Sequence, residues 1–253
     1  MAQSNETRRG LVIDIEWRLT LFTALLLPLL ITLGFWQLSR AEEKRVLEAR
    51  HIARETLPAA DVPALLAASR TERADRRIAF LAAFDGDDYL LLDNRIHNGR
   101  VGYEVVALAR VKQWLVPVNL GWVPGAPARR TLPAVDLPPQ PVSITGRVYV
   151  PSAEAYVLSE EPFPADLPAV VQALPLDRWR DDITAGNRGE VFPHVVRIDE
   201  NSPYAFEADW PVVNQTPAKH TGYAVQWFSM AAVLLLAYVL RSTNLWSLLR
   251  RRP

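Results

Sequence analysis

Hydrophobic positions are concentrated in two uninterrupted stretches near the ends of the chain. The later one, Gly222 to Leu240, is 19 residues long and carries no formal charge. At 1.5 Å per residue such a helix is about 28 Å long, close to the roughly 30 Å hydrocarbon core of a bilayer. The earlier one, Leu19 to Leu38, has 20 uncharged residues. Between them lie 183 residues, Ser39 to Thr221, with the mixed composition of a soluble domain. The pattern predicts two membrane helices in a hairpin and a domain held at the membrane surface. The expected parts are a tail (1–18), a span (19–38), the domain (39–221), a second span (222–240) and a tail (241–253).

Inside the domain the period changes. Residues 41–70 are rich in Ala, Leu, Glu and Arg and predict a helical stalk, interrupted near Pro58 and Pro63. Arg77–Phe84 and Tyr89–Leu92 predict two strands around the turn cluster Asp85–Asp88, and His97-Asn98-Gly99 is a second turn signal. Tyr103–Val111 and Trp114–Asn119 predict a hairpin across Lys112-Gln113. Pro124–Pro141 holds six prolines and Pro151–Pro175 five, so both predict loops. Pro141–Val150 predicts a strand with Gly146 as a bulge, and Leu176–Ile183 a short helix. Phe192–Ile198 and Ala205–Val213 predict the last strands. The expected fold class is membrane-anchored α+β: two terminal transmembrane helices flank a mainly antiparallel, barrel-like β domain.

Charge sets the orientation. Lys219 is the only Lys or Arg in the twenty residues before the second span, whereas Arg241 and Arg250–Arg252 follow it. The positive-inside rule then puts the C-terminus in the cytoplasm, and two spans return the N-terminus to the same side. Phe35 to Arg40 has no small-residue cleavage pattern, so the first span reads as an uncleaved anchor. A bacterial inner membrane with a periplasmic domain is the expectation.

Composition removes whole classes of chemistry. Net charge is zero with no basic stripe, which gives nucleic acid no footing. Cysteine is absent, so disulfides, thiolate metal sites and cysteine nucleophiles are excluded. Met230 is the one internal methionine, too little soft sulfur for a copper carrier. No nucleophile elbow, zinc-protease helix, P-loop or dinucleotide fingerprint occurs, and no enzyme is expected. His51 is expected to be exposed on the stalk, His97 to be ordinary and His194 to be a hydrogen-bonded structural residue.

His220 stands apart because it lies two residues before an uncharged span. A helix that starts slightly early puts His220, Tyr223 and Trp227 on one face. Gln226 and Gln37 lie near the outer ends of their spans, each beside a tryptophan. Trp36, Arg40 and Lys44 follow at four-residue spacing and share a face of the first helix. Two readings stay open. Trp36 can be an interfacial anchor, with Gln37 and Gln226 bonded to each other across the hairpin. Alternatively the set is a site with one imidazole, two aromatic plates and a cationic rim, which suits a flat apolar macrocycle with carboxylates, a haem.

At these residues the sequence resembles the surfeit-locus family of cytochrome c oxidase assembly factors. The matching pieces are Leu33-Gly34-Phe35-Trp36-Gln37 with Arg40 and Lys44, Leu92-Asp93-Asn94-Arg95, Gly102-Tyr103-Glu104-Val105, Val118 to Pro124, Thr145-Gly146 and His220 to Phe228. They stand in the family order and cover nearly the whole chain. Leu120 stands where the family often has Arg, and Glu43 where it often has an aromatic residue.

The resemblance implies a role in early assembly of the haem-copper oxidase, around haem a and subunit I. It implies His220 as the haem ligand, with Trp36, Tyr223 and Trp227 as walls, Gln37 and Gln226 alongside, and Arg40 and Lys44 as propionate contacts. The implied partners are oxidase subunit I, haem A synthase and membrane lipid, and the protein carries haem a without transforming it. The alternative expectation is a scaffold that binds no haem and holds assembly intermediates through Asp93–Arg95 and Asn119–Trp122.

Overall fold

The computed structural model describes residues 12–126, 131–151, 162–186 and 189–246. Arg250–Arg252, on which the expected orientation rests, lie outside them. The chain divides into two compact units, one of Met1–Ala49 with Val212–Pro253, the other of Arg50–Pro211.

The first unit is an antiparallel helix pair made by α5 (Pro217–Ser242) and by α1 (Trp17–Glu55) up to Ala49, the last residues of α1 belonging to the second unit. Both are long and apolar enough to cross a membrane. Close approach of two helices without large side chains between them needs small residues at the seam. Gly34, Ala41, Ala224 and Ala231 are buried, along with Thr23 and Leu30. A Cβ on Gly34 would meet the Phe228 ring at 2.5 Å, and Phe35 meets the same ring edge-on at 5.3 Å. Thr20 and Tyr238 share a 2.9 Å hydrogen bond at the other end of the pair. There Asp14 N–H donates to Ser242 O at 2.8 Å. Pro28 lies inside α1, and the helix continues through it into the expected stalk as far as Glu55.

The second unit begins with two short helices. α2 (Val62–Ala67) is capped by Asp61, whose side chain accepts the Ala64 N–H, and Pro63 sits in its first turn. α3 (Arg70–Arg73) has a full capping box between Ser69 and Glu72. The strands are β1 (Arg77–Ala82), β2 (Tyr89–His97), β3 (Arg100–Val111), β4 (Trp114–Pro124), β5 (Val142–Tyr149), β6 (Ala169–Val171), β7 (Glu190–Val191) and β8 (Val195–Ile198), with α4 (Leu176–Ala185) before β7. The sheet order is β1-β5-β8-β4-β3-β2-β6, with β7 also on β4.

Central strands are buried on both faces. In β3, Tyr103, Val105, Ala107, Ala109 and Val111 belong to one core, and Val106 and Leu108 to the other. That is why residues 105 to 109 read as a continuous apolar run instead of an alternation. The second face is covered by α4, whose Leu176, Trp179 and Ile183 are all buried at helical spacing. Asn98 (φ 48°) and Gly99 (φ 75°) make the β2–β3 turn, both in the left-handed region that a tight hairpin of this kind requires. The Lys112-Gln113 hairpin is present as expected.

Several expectations are corrected. The sheet is mixed and not closed: β6, β7 and β8 pair in parallel with β2 or β4, and the path ends at β1 and β6. The barrel-like expectation fails because β6 covers the outer edge of β2, and β1 reaches β3 only through the single Ala83–Arg110 bridge. The two strands expected around Asp85–Asp88 are present, and β1 pairs with β5. Gly146 is no bulge. Its register is continuous with both Ile78 and Ile198, and it is needed because a Cβ would run into the Arg197 carbonyl. Ala205–Val213 forms no strand. Only Phe206 and Glu207 pair with β4, at Leu120 and Trp122, before Pro211 stops any ladder. The loop expected over Pro151–Pro175 contains β6, and its residues 152–161 lie outside the described part.

Candidate functional site

Helix α5 starts at Pro217, its first-turn proline, and so includes His220. The face His220, Ala224, Trp227, Phe228 and Ala231 follows at helical spacing, with Ala224 and Ala231 buried at the seam. On α1, Gly34, Gln37 and Ala41 make the facing row, with Gly34 and Ala41 buried. Register between the two rows places Gln37 opposite His220. His220 Nδ1 and Gln37 Oε1 are 2.8 Å apart. An amide oxygen can only accept, so this bond puts a hydrogen on Nδ1, and in the neutral imidazole the lone pair is then on Nε2.

Around this pair the other expected residues are distributed unequally. Trp36 and Arg40 meet each other: the guanidinium carbon lies 5.8 Å from the ring centre, and Trp36 is 49% exposed. Arg40 also donates to Glu43 at 2.6 Å, so its expected cationic role is shared with a neighbouring carboxylate. Lys44 and Trp227 are half-buried, while Tyr223 and Gln226 are exposed. The expected Gln37–Gln226 bond is replaced by the Gln37–His220 bond, and among the described residues Gln226 has no hydrogen-bond partner. The reason is angular: Gln226 is turned away from the seam that His220 and Ala224 occupy.

In the other unit the leftover motifs act first as backbone locks. Asp93 and Asn94 form a bulge in β2, where the register shifts between Leu92 and Arg95. Asn94 has φ 58°, and the Asp93 carboxylate accepts its N–H at 2.7 Å. A second bulge at Leu120 shifts β3 against β4, with Gly121 at φ 113°. Asn119 holds it, accepting from Gly121 N–H at 3.1 Å and donating to Glu104 at 2.6 Å. Leu120 is 1% exposed and packs in the first core. Arg95 faces Glu104 at 3.5 Å, and Trp122 Nε1 donates to Arg95 O. These residues, with Asn94, His97, Glu207 and Trp210, line a cleft of about 300 Å³.

The remaining histidines differ from expectation. His51 is half-buried and paired, its Nδ1 lying 2.9 Å from Asp75 Oδ2. His97 packs on Trp122 and lies 3.3 Å from Glu207. His194 is 6% exposed and its Nε2 has no partner, so it is structural but not hydrogen-bonded at that atom. Burial, reinforced by Arg73 and Arg70, pushes its pKa down to about 4. Among the described residues no three His, Asp or Glu side chains gather as a metal site.

A family model described as "SURF1 family" matches residues 24–232 of the chain. No curated protein matches it.

Proposed function

The chain belongs to the SURF1 family, which is associated with cytochrome oxidase assembly, and from this premise we propose that it binds haem a at His220 and assists its insertion into oxidase subunit I. The observation that carries this reading is the Gln37–His220 hydrogen bond at 2.8 Å. A haem iron takes a neutral imidazole nitrogen with a free lone pair, and ligating histidines nearly always donate their other N–H to a fixed acceptor. Gln37 supplies that acceptor, so His220 Nε2 fits the donor that the group needs. Trp36 and Trp227 offer apolar ring surface near the same helix ends, and Arg40 and Lys44 offer cations for propionates. Haem a is cargo in this reading; the chain holds and orients it and transforms nothing. Both termini lie in the cytoplasm of a bacterial cell, the sheet-bearing unit lies in the periplasm, and haem A synthase and subunit I are the donor and receiver.

The test is an absorption spectrum of detergent-purified protein co-expressed with the haem A synthesis enzymes. Haem a bands are expected in the wild type and absent in His220→Ala. Gln37→Leu keeps the ligand but loses its orienting acceptor, and haem affinity is expected to fall roughly 10- to 100-fold. An unchanged spectrum in His220→Ala sinks the proposal.

A second reading is favoured by the cleft between Asn94–His97 and Trp210, because it gathers the Asp93–Arg95 and Asn119–Trp122 segments in one place. There the chain is a scaffold that docks an oxidase assembly intermediate. Colourless protein that still co-purifies with subunit I, without haem a synthesis, supports that reading over the first.

A further inference from the structure

Three guanidinium groups of the sheet-bearing unit lie near one another, with no carboxylate in ion-pair contact among the described residues. Arg50 and Arg54 are one turn apart near the end of α1, and Arg76 stands just before β1. Arg54 Nη2 donates to Thr71 O at 2.8 Å, and Arg76 Nη2 reaches Pro58 O at 3.4 Å. These bonds use only part of each fork. Arg50 Nε, Arg54 Nη1 and Arg76 Nη1 are buried and have no hydrogen-bond partner. Burial first, then the like charges of Arg50 and Arg76, lower the Arg54 pKa against the opposing pull of Asp75 and Glu72.

Asp75 and, more weakly, Glu72 offset this only in part and from beyond ion-pair distance, because each is engaged elsewhere. Asp75 takes His51 at 2.9 Å and faces Arg147 at 3.9 Å. Glu72 closes the capping box with Ser69, and Glu55 lies 3.7 Å from Arg147. Among the described residues no carboxylate oxygen lies within 4.0 Å of a nitrogen of Arg50, Arg54 or Arg76. Buried guanidinium N–H groups left unsatisfied are costly, and crowding three such cations adds to the cost. An anion with several acceptor oxygens removes both penalties at once.

We propose that Arg50, Arg54 and Arg76 form a binding site for a phosphate-type oxyanion, which their three unpartnered N–H groups hold. The guanidinium fork matches phosphate oxygens in shape and charge. The same chemistry arrives from two sources: the headgroup of an anionic phospholipid, or free phosphate.

The experiment uses the full chain and reads thermal unfolding and titration calorimetry. One arm adds inorganic phosphate to detergent-solubilised protein at constant ionic strength, with chloride as the reference. The other compares nanodiscs of phosphatidylcholine alone with nanodiscs containing phosphatidylglycerol. Stabilisation by inorganic phosphate identifies the free ion, and stabilisation only by phosphatidylglycerol identifies the lipid. In either case Arg50→Gln and Arg54→Gln are expected to weaken binding roughly tenfold or more, since each removes a charge-assisted donor. Arg100→Gln, an exposed arginine of the same unit outside the cluster, is expected to leave it unchanged. A wild type that responds in neither arm overturns the proposal, whether or not the variants fold. So does an Arg100→Gln loss equal to that of Arg54→Gln, which would mark a diffuse charge effect.

Discussion

At the scale of single residues, neighbours matter more than residue type. His220 and His194 are the same side chain with opposite surroundings. His220 has one nitrogen fixed by Gln37, whereas His194 is buried beside Phe192 with its Nε2 unpartnered. Folding therefore keeps His194 neutral, with a pKa lowered to about 4 from the ordinary 6.5. The sign follows directly. Between those values the unfolded chain binds a proton that the folded chain does not, so stability is full above pH 6.5 and drains as the pH falls towards 4. The expected loss is on the order of 3 kcal/mol, at about 1.4 kcal/mol per pKa unit. A pH series of thermal unfolding checks it. His194→Gln should flatten the slope in that window, and an unchanged slope would show that another group sets it. Arg197 is equally hidden from sequence: burial lowers its pKa, and its guanidinium lies 3.6 Å from the Tyr149 ring centre and 4.9 Å from that of Trp210. Nothing in the order of residues announces that stack.

Elements divide into those set by local pattern and those set by partners. The two long apolar helices, the Asn98-Gly99 turn, the Lys112-Gln113 hairpin and α4 follow from period and turn chemistry. The strand expected over Ala205–Val213 has the right composition but no free ladder to join, and β6 forms in a proline-rich segment because β2 offers it an edge. α4 is the element whose loss should be felt most sharply. Its Trp179 is 3% exposed and stacks edge-on with Phe163 at 5.5 Å. Trp179→Ala is expected to cost about 3–5 kcal/mol, read as a lower denaturation midpoint. A loss under about 1 kcal/mol would mean that α4 merely leans on the sheet instead of closing its core.

For the whole molecule, the matched span from residue 24 to residue 232 covers the sheet and most of both long helices. The orientation in the membrane is testable because the chain has no cysteine. Ser143→Cys puts a single thiol on an exposed position of β5. With a periplasmic sheet unit, an impermeant thiol reagent is expected to label it in intact cells. Labelling only after lysis would reverse the topology.

The sequence by itself determined the two membrane-length helices, the α+β class and the family, and it singled out His220 by its place before an uncharged span. All of these rest on local quantities: run length, charge, period and the identity of short segments. It left undecided which glutamine meets His220, because that depends on the register of two helices packed through Gly34 and Ala224. It also could not show that Asp93–Arg95 is a bulge, that Gly146 yields to the Arg197 carbonyl, or that Arg50, Arg54 and Arg76 each keep a buried N–H without a partner. Tertiary structure decided those, since each joins residues far apart in the chain whose contact is set by packing and strand order rather than by any neighbour in sequence.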